Sequence, residues 1–145
     1  MNKPTIVIDA HIPFIKGVLE QVAHVSYYPA NEITADVVHH ADALIVRTRT
    51  ACNEALLANS SVRFIATATI GFDHIDADFC AARSIAWTNA AGCNASSVAQ
   101  YIGSALAFWA NKNQCTLVGK TVGVVGVGHV GTEVVRMAQL VGMRG

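Results

Sequence analysis

Charge is scarce in this chain of 145 residues. Charged residues make up 14% of it, and the ten Lys and Arg balance the ten Asp and Glu, so the formal net charge is zero. Nucleic acid and anionic membranes bind to basic patches, and both are therefore disfavoured as partners. Apolar residues make up 52% of the chain, which excludes intrinsic disorder and suits strands that are buried on both faces.

Long apolar runs are also missing. None approaches the roughly 20 residues that a membrane-spanning helix needs, and the run at 5–8 is too short for a signal-peptide core. We therefore expect a cytoplasmic protein. The cysteines form no Cys-x-x-Cys pair, so free thiols are expected instead of disulfides or a metal site. There are four of them, Cys52, Cys80, Cys93 and Cys115.

Short β-type runs alternate with helical patterns along the first part of the chain. Five strands are predicted, at 5–9, 24–28, 42–46, 62–67 and 84–87. Helices are predicted between them, at 13–23, 34–39, 54–58 and 76–83. This alternation predicts right-handed βαβ units and a parallel sheet. Five strands in about 90 residues suit an α/β domain of the flavodoxin-like type.

A longer apolar stripe follows, and it predicts a helix that begins at Ser96 and packs between two domains. The stripe consists of Val98, Tyr101, Ile102, Ala105, Leu106 and Trp109. The alternation then restarts, with a strand predicted at 121–125 and a helix at 133–141. We therefore expect three segments, a substrate domain at 1–95, an interdomain helix and linker at 96–118, and the start of a Rossmann domain at 119–145.

The motif Gly126-x-Gly128-x-x-Gly131 directly follows a predicted strand, as a dinucleotide-binding fingerprint does. Gly126 permits the tight turn, Gly128 lets the backbone approach a pyrophosphate, and Gly131 lets the helix pack on the strand. The free N–H groups near His129 and Val130 would face the anion. The motif therefore predicts a dinucleotide site, and the alternative is a tight strand-to-helix turn without a ligand.

The fingerprint also requires an acidic residue about 20 positions further on, to hold the adenine ribose. Gly145 lies 14 positions after Gly131. A first βα unit cannot bury its strand or its helix alone. We therefore expect a complete first domain followed by the opening of a second.

Polar residues follow the third and fourth predicted strands. Arg47-Thr48-Arg49-Thr50 comes after the third strand, and 67–71 after the fourth. Ligands of open α/β sheets bind at this edge, where guanidinium groups and hydroxyls can hold a phosphate or a carboxylate. A solvated loop is the alternative for 47–50. For His74, a structural hydrogen-bonding role is favoured over general acid catalysis.

Four segments in the same order resemble the N-terminal part of the D-2-hydroxyacid dehydrogenases. They are Val46-Arg47-Thr48-Arg49-Thr50, Gly71-Phe72-Asp73-His74-Ile75-Asp76, residues 89–101 and residues 122–131. The run at 67–74 and Gly92-Cys93-Asn94-Ala95 further resemble the branch of this family that oxidises 4-phosphoerythronate in vitamin B6 synthesis. Ala91 and Gln100 depart from the family pattern, which has proline and glutamate there.

The resemblance implies an NAD-dependent oxidoreductase that is a cytoplasmic homodimer at full length and acts on a small phosphorylated hydroxy acid. It places Thr48 and Thr69 on the substrate with Arg47 close by, and the NAD pyrophosphate on the backbone of 126–131. The family's catalytic arginine, glutamate and histidine lie in the second domain, so no catalytic residue is assigned and the chain alone is expected to be inactive. The alternatives are another D-2-hydroxyacid dehydrogenase, such as one acting on phosphoglycerate, or a non-catalytic ligand-binding module.

Overall fold

A computed structural model describes residues 3–144, and the chain divides into two compact units, Met1–Ala90 and Ala91–Gly145. The first unit contains β1 (Thr5–Asp9), β2 (His24–Tyr28), a 3-10 turn (Ala30–Glu32), α1 (Ala35–Val38), β3 (Ala43–Val46), α2 (Glu54–Leu57), β4 (Phe64–Thr67), α3 (Ala77–Ala82) and β5 (Ala86–Asn89). The second unit contains α4 (Ala95–Lys112) and α5 (His129–Leu140). No helix among the described residues is long and apolar enough to cross a membrane.

The first unit is built on a parallel sheet with the strand order β2-β1-β3-β4-β5. This is the flavodoxin-like order that the sequence predicts, and all five predicted strands form with small shifts at their ends. Val46 pairs with Thr67 in the register of β3 and β4. The loops that begin at Arg47 and Ala68 therefore leave the same edge of the sheet.

The core of the first unit explains why its strands are nearly continuous apolar runs. Val7, Ile8 and Asp9 are consecutive in β1 and all buried, so this strand is covered on both faces. The largest fully buried side chains are Ile8, Val38, Leu44, Val46, Cys52, Leu57, Ile65 and Cys80. All four cysteines are free, as the sequence predicts, with Cys52 and Cys80 buried in this core.

Side-chain caps start two of the short helices. At the start of α2, the Asn53 side chain accepts a hydrogen bond from the Leu56 N–H at 3.3 Å. Asp76 caps α3 through the Phe79 N–H at 2.9 Å. The N-cap residue Thr34 of α1 makes no such bond, and α4 begins at Ala95 without a side-chain cap, one residue before its predicted start at Ser96.

The helix predicted at 13–23 is wrong, because this segment forms successive turns. The φ angles of Phe14 and Gly17 are +59° and +85°, which an α-helix does not allow. The apolar side chains expected to pack on one helical face are exposed instead, with Phe14 98%, Val18 59% and Val22 63% accessible.

The Glu20 carboxylate organises these turns. It accepts hydrogen bonds from the N–H groups of Gly17 and Leu19, at 2.9 and 3.0 Å, and from the Tyr27 hydroxyl at 2.6 Å. A side chain thus takes the place of the helical backbone acceptors. The Tyr27 hydrogen bond is the main reason that the pKa of Glu20 falls from 4.5 to about 2.

In the second unit, α4 packs against α5. A Cβ at Gly103 would lie 3.0 Å from the Met137 sulfur, so the absence of a side chain at Gly103 permits this close approach. The buried residues of the helix pair are Ala95, Ala99, Ala110, Gly131, Val134 and Ala138.

The strand predicted at 121–125 is wrong in extent. Only Thr121 forms a bridge, with Arg144, and the Val122 N–H donates to the Arg144 carbonyl at 2.8 Å. A strand needs a neighbour along its whole length, and the described part of this unit places only the segment at Arg144 beside it. Val125 is therefore fully exposed, although the following α5 forms and begins at His129 rather than at the predicted Glu133.

Candidate functional site

A cavity of about 510 Å³ lies in the first unit, where β1 and β3 end. Its lining includes Asp9, His11, Ala30, Asn31, Arg47, Thr48 and Arg49. This volume is in the range of roughly 300–1,000 Å³ that small-molecule sites occupy. The cavity is at the carboxyl ends of parallel strands, which is the edge at which ligands of such sheets bind.

The cavity carries more positive than negative charge. Arg47 and Arg49 supply two guanidinium groups, whereas Asp9 supplies one carboxylate, whose side chain is 3% exposed. The Asp9 Oδ1 atom accepts the His11 N–H at 2.9 Å, and the Arg47 Nη1 atom donates to the His11 carbonyl at 3.3 Å. The His11 backbone thus joins Asp9 to Arg47, and the remaining guanidinium donors are suited to an anion.

A tight turn presents the side chains that follow β3. The Thr50 N–H donates to the Arg47 carbonyl at 3.2 Å, which closes the turn. Arg47, Thr48 and Arg49 are exposed on it, whereas Thr50 is 3% exposed, and its hydroxyl has no hydrogen-bond partner among residues 3–144. The structure therefore brings the predicted Arg47 and Thr48 together in one cavity.

Thr69 is outside the lining of this cavity, on the loop after β4. Its Oγ1 atom is 2.6 Å from the Oγ1 atom of Thr67 and donates to the Gly71 carbonyl at 3.0 Å. The Nε2 atom of His74 is 2.9 Å from the Thr67 Oγ1 atom, so the predicted hydrogen-bonding role of His74 is confirmed. Burial lowers the pKa of His74, which favours the neutral ring, while Asp73 acts in the opposite direction.

Backbone hydrogen bonds join the loop that carries His74 to the chain after β3. The Cys52 N–H donates to the His74 carbonyl at 2.8 Å, and the Asp76 N–H donates to the Cys52 carbonyl at 2.9 Å. Cys52 and Ile75 form a parallel bridge between these bonds. The two loops at this edge of the sheet therefore hold each other in place.

The glycine fingerprint forms a compact turn before α5. Gly126 has a φ of +86°, which favours glycine. A Cβ at Gly131 would overlap the Gly126 carbonyl oxygen, so no side chain fits there. Apart from its chain neighbours, no described residue lies within 4 Å of the position that a Cβ would take at Gly128, which leaves that backbone open to a ligand.

The start of α5 offers unpaired backbone donors. The first hydrogen bond of the helix runs from the Thr132 N–H to the Gly128 carbonyl at 2.9 Å. The N–H groups of His129, Val130 and Gly131 precede it, and no described residue accepts from them. The His129 ring packs against Gly92, where a Cβ would lie 2.7 Å from the ring. The turn therefore fits the pyrophosphate of a dinucleotide, held by backbone groups.

Several residues of the cavity were not identified from the sequence as ligand-facing groups, notably Asp9, His11 and Asn31. Asp9 is the last residue of β1, so the rule that selected Arg47 and Thr48 could also have selected it. Thr67 falls within the polar run 67–71 that the sequence places at this edge, but its contacts with Thr69 and His74 appear only in the fold. No cluster of three or more metal-ligating side chains occurs in the described part of the chain.

Comparisons with known proteins agree with these features. The model of the D-isomer specific 2-hydroxyacid dehydrogenase catalytic domain matches residues 6–136. The erythronate-4-phosphate dehydrogenase of Bacteroides thetaiotaomicron is 51% identical over 140 residues, which are 96% of this chain and 40% of the relative. The enzyme of the same name from Yersinia enterocolitica is 40% identical over 96% of this chain and 37% of its own length. The chain thus spans about 40% of the length of such relatives.

Solved structures of other dehydrogenases share the fold of this chain. The NAD+-bound 3-phosphoglycerate dehydrogenase of Entamoeba histolytica has a TM-score of 0.75 and 28% identity, over 99% of this chain and 53% of that one. The D-lactate dehydrogenase of Aquifex aeolicus, complexed with NAD and lactic acid, shares the fold with a TM-score of 0.69 and 21% identity, over 96% of this chain and 49% of that one. The chain belongs to the D-isomer specific 2-hydroxyacid dehydrogenase family.

Proposed function

We propose that the protein containing this chain is an NAD-dependent dehydrogenase that oxidises 4-phosphoerythronate to its 2-oxo acid, in the synthesis of pyridoxal phosphate. The cationic cavity after β1 and β3 is the observation that carries this proposal, because the substrate has an anionic group at each end. The similar erythronate-4-phosphate dehydrogenases, up to 51% identical to this chain, support the choice of substrate.

Arg47, Thr48 and Thr69 are proposed to bind the substrate. The guanidinium of Arg47 would pair with a phosphate or carboxylate oxygen, and the Thr48 hydroxyl beside it would donate a hydrogen bond. Thr69 would contact the substrate from the neighbouring loop, which leaves the same sheet edge.

The turn before α5 is proposed to bind NAD. The backbone of Gly126 and Gly128 would approach the pyrophosphate, and the N–H groups of His129, Val130 and Gly131 would donate to it. When bound there, NAD would supply the hydride acceptor for oxidation at C2 of the substrate. Arg47 and the two threonines orient the substrate and neutralise its charge in this scheme, and none of them moves a proton.

The whole protein would have two domains joined by a helix. Residues 1–95 would form the substrate domain, 96–118 the interdomain helix and linker, and 119–145 the start of the NAD-binding domain. The protein would be a cytoplasmic homodimer. Since no residue here is assigned to proton transfer, the 145-residue chain alone is expected to show no turnover.

A second candidate is the oxidation of 3-phosphoglycerate. The similarity to the Entamoeba histolytica 3-phosphoglycerate dehydrogenase, at 28% identity, favours it over other hydroxy acids. The two substrates share a phosphate and a carboxylate, so the charge of the cavity alone does not separate them.

The substrate role of the cavity is tested by replacing Arg47 with alanine in the protein that contains this chain. Loss of a charged hydrogen bond costs about 1.5–3 kcal/mol, so the KM for 4-phosphoerythronate should rise about 10- to 100-fold. Arg63→Ala is the matched control, because Arg63 is an exposed arginine before β4 that pairs with Asp42 at 3.0 Å. It should leave KM unchanged. Equal effects of the two substitutions would contradict the assignment.

A further inference from the structure

Three side chains form a continuous hydrogen-bonded series at the carboxyl end of β4. The Nε2 atom of His74 is 2.9 Å from Thr67 Oγ1, which is 2.6 Å from Thr69 Oγ1. Thr69 Oγ1 is in turn 3.0 Å from the carbonyl oxygen of Gly71. All three contacts have the lengths of ordinary hydrogen bonds.

The direction of every bond in this series follows from its last member. A carbonyl oxygen only accepts, so the single O–H of Thr69 donates to Gly71. The contact between the two hydroxyls must then use the O–H of Thr67. Thr67 has no second hydrogen, and the Nε2 atom of His74 must therefore donate to it. The neutral His74 ring thus carries its proton on Nε2.

The surroundings keep this order in place. Thr67 is 3% exposed and fixed by the pairing of β4 with β3 and β5. The Cys52 N–H holds the His74 backbone by its carbonyl at 2.8 Å. Burial lowers the pKa of His74, so the ring is neutral near pH 7, and a neutral ring offers only one donor.

We propose that His74 is a positioning residue that sets Thr69 as a hydrogen-bond donor to an anionic oxygen of the substrate. The inference rests on the proposed function, in which Thr69 contacts the substrate. Because Thr69 already accepts from Thr67, its own O–H can point only to Gly71 or to an incoming ligand. Phosphate and carboxylate oxygens accept hydrogen bonds without donating, and they match this fixed donor.

A proton on Nδ1 of His74 would reverse the hydrogen bonds of the series. With the proton on Nδ1, the Nε2 atom would accept from Thr67, and Thr67 would then be free to accept from Thr69. The Thr69 O–H would turn back toward Thr67 and be lost to the substrate. Removing the Nε2 donor by substitution allows the same reversal.

Kinetics of the protein that contains this chain test the inference. His74→Leu and Thr67→Val remove a member of the series, and each should raise the KM for 4-phosphoerythronate about 3- to 10-fold with kcat changed less than about twofold. His74→Gln and Thr67→Ser keep a donor at the same place and should restore KM to within about twofold. If His74 and Thr67 had only a structural role, His74→Leu and Thr67→Val would lower Tm. His74→Gln and Thr67→Ser would then not restore KM.

Two inhibitors identify which end of the substrate meets Thr69. If it is the phosphate, His74→Leu should weaken competitive inhibition by inorganic phosphate but not by erythronate. If it is the carboxylate, inhibition by erythronate should weaken instead. An unchanged KM for 4-phosphoerythronate in both His74→Leu and Thr67→Val overturns the inference.

Nitrogen-15 NMR of the His74 ring gives a second, independent readout. The inference requires a proton on Nε2 at neutral pH, and a proton on Nδ1 overturns it. Neither an unchanged KM in the variants nor a proton on Nδ1 would affect turnover by the unsubstituted protein, so neither result would contradict the proposed function. The absence of any turnover of 4-phosphoerythronate by the unsubstituted protein would overturn the proposed function, and the role of His74 in substrate binding with it.

Discussion

Alanine at two glycines of the fingerprint should separate the folding of the turn before α5 from its binding of NAD. At Gly131, the added methyl group would overlap the Gly126 carbonyl oxygen and lie 3.1 Å from its carbonyl carbon. Both atoms belong to the backbone, so the turn itself must move. Such overpacking costs about 1–3 kcal/mol of unfolding free energy.

At Gly128 the same substitution meets open space, because nothing lies within 4 Å of the new Cβ. The φ of Gly128 is −86°, which any residue adopts, so the unfolding free energy should change by less than about 0.5 kcal/mol. The methyl group would instead occupy the closest approach of the pyrophosphate. We expect NAD affinity to fall by about 1–3 kcal/mol, which is roughly a 5- to 150-fold increase in Kd.

Two measurements on the protein that contains this chain make the comparison. Urea unfolding followed by circular dichroism gives the stability, and calorimetric titration with NAD gives Kd. Gly123→Ala is the matched control, because its Cβ also meets nothing within 4 Å and it precedes the fingerprint. Unchanged NAD affinity in Gly128→Ala would refute the binding role of the turn, and unchanged stability in Gly131→Ala would refute its packing.

Two further predictions concern groups with shifted pKa values. Glu20 should titrate near pH 2, and its interactions should stabilise the fold above the unfolded value of 4.5 and be lost as the pH falls from 4.5 toward 2. NMR titration checks this, and Tyr27→Phe should raise the pKa of Glu20; a Glu20 midpoint near 4.5 in the unsubstituted protein would contradict the hydrogen-bond account. Burial raises the pKa of the Cys52 thiol to about 12, so a thiol reagent should modify the exposed Cys93 long before Cys52. Mass spectrometry of partially labelled protein would show the reverse order if the core were open.

The sheet was predictable because each of its strands is an apolar run with its own turn signals. The alternation of β-type and helical patterns predicted a parallel sheet, and the flavodoxin-like type implied the strand order. The segment at 13–23 was wrongly predicted as a helix because the spacing of its apolar residues suits one. Its structure depends instead on the Glu20 carboxylate and on positive φ angles at Phe14 and Gly17, which hydrophobic periodicity does not encode.

The strand predicted at 121–125 failed for a different reason, which is the lack of a neighbouring strand among the described residues. Its sequence is typical of a buried strand, but a strand exists only with a neighbour to accept and donate hydrogen bonds. The described second unit provides Arg144 beside Thr121 and Val122, and no further partner. The local pattern therefore predicted a five-residue strand, whereas only Thr121 forms a bridge among the described residues.

The candidate site was partly predictable for a similar reason. Arg47 and Thr48 stand at a strand end, where position alone indicates a ligand-facing role. The series from His74 through Thr67 to Thr69 depends on which hydroxyl is buried and which atom accepts, and only the fold shows this.

The most direct test of the whole account is the steady-state rate of NADH formation by the protein that contains this chain. It should be measured with NAD and either 4-phosphoerythronate or 3-phosphoglycerate. We expect turnover with a clearly higher kcat/KM for 4-phosphoerythronate. A higher value for 3-phosphoglycerate, or no NADH formation with either substrate, would contradict it.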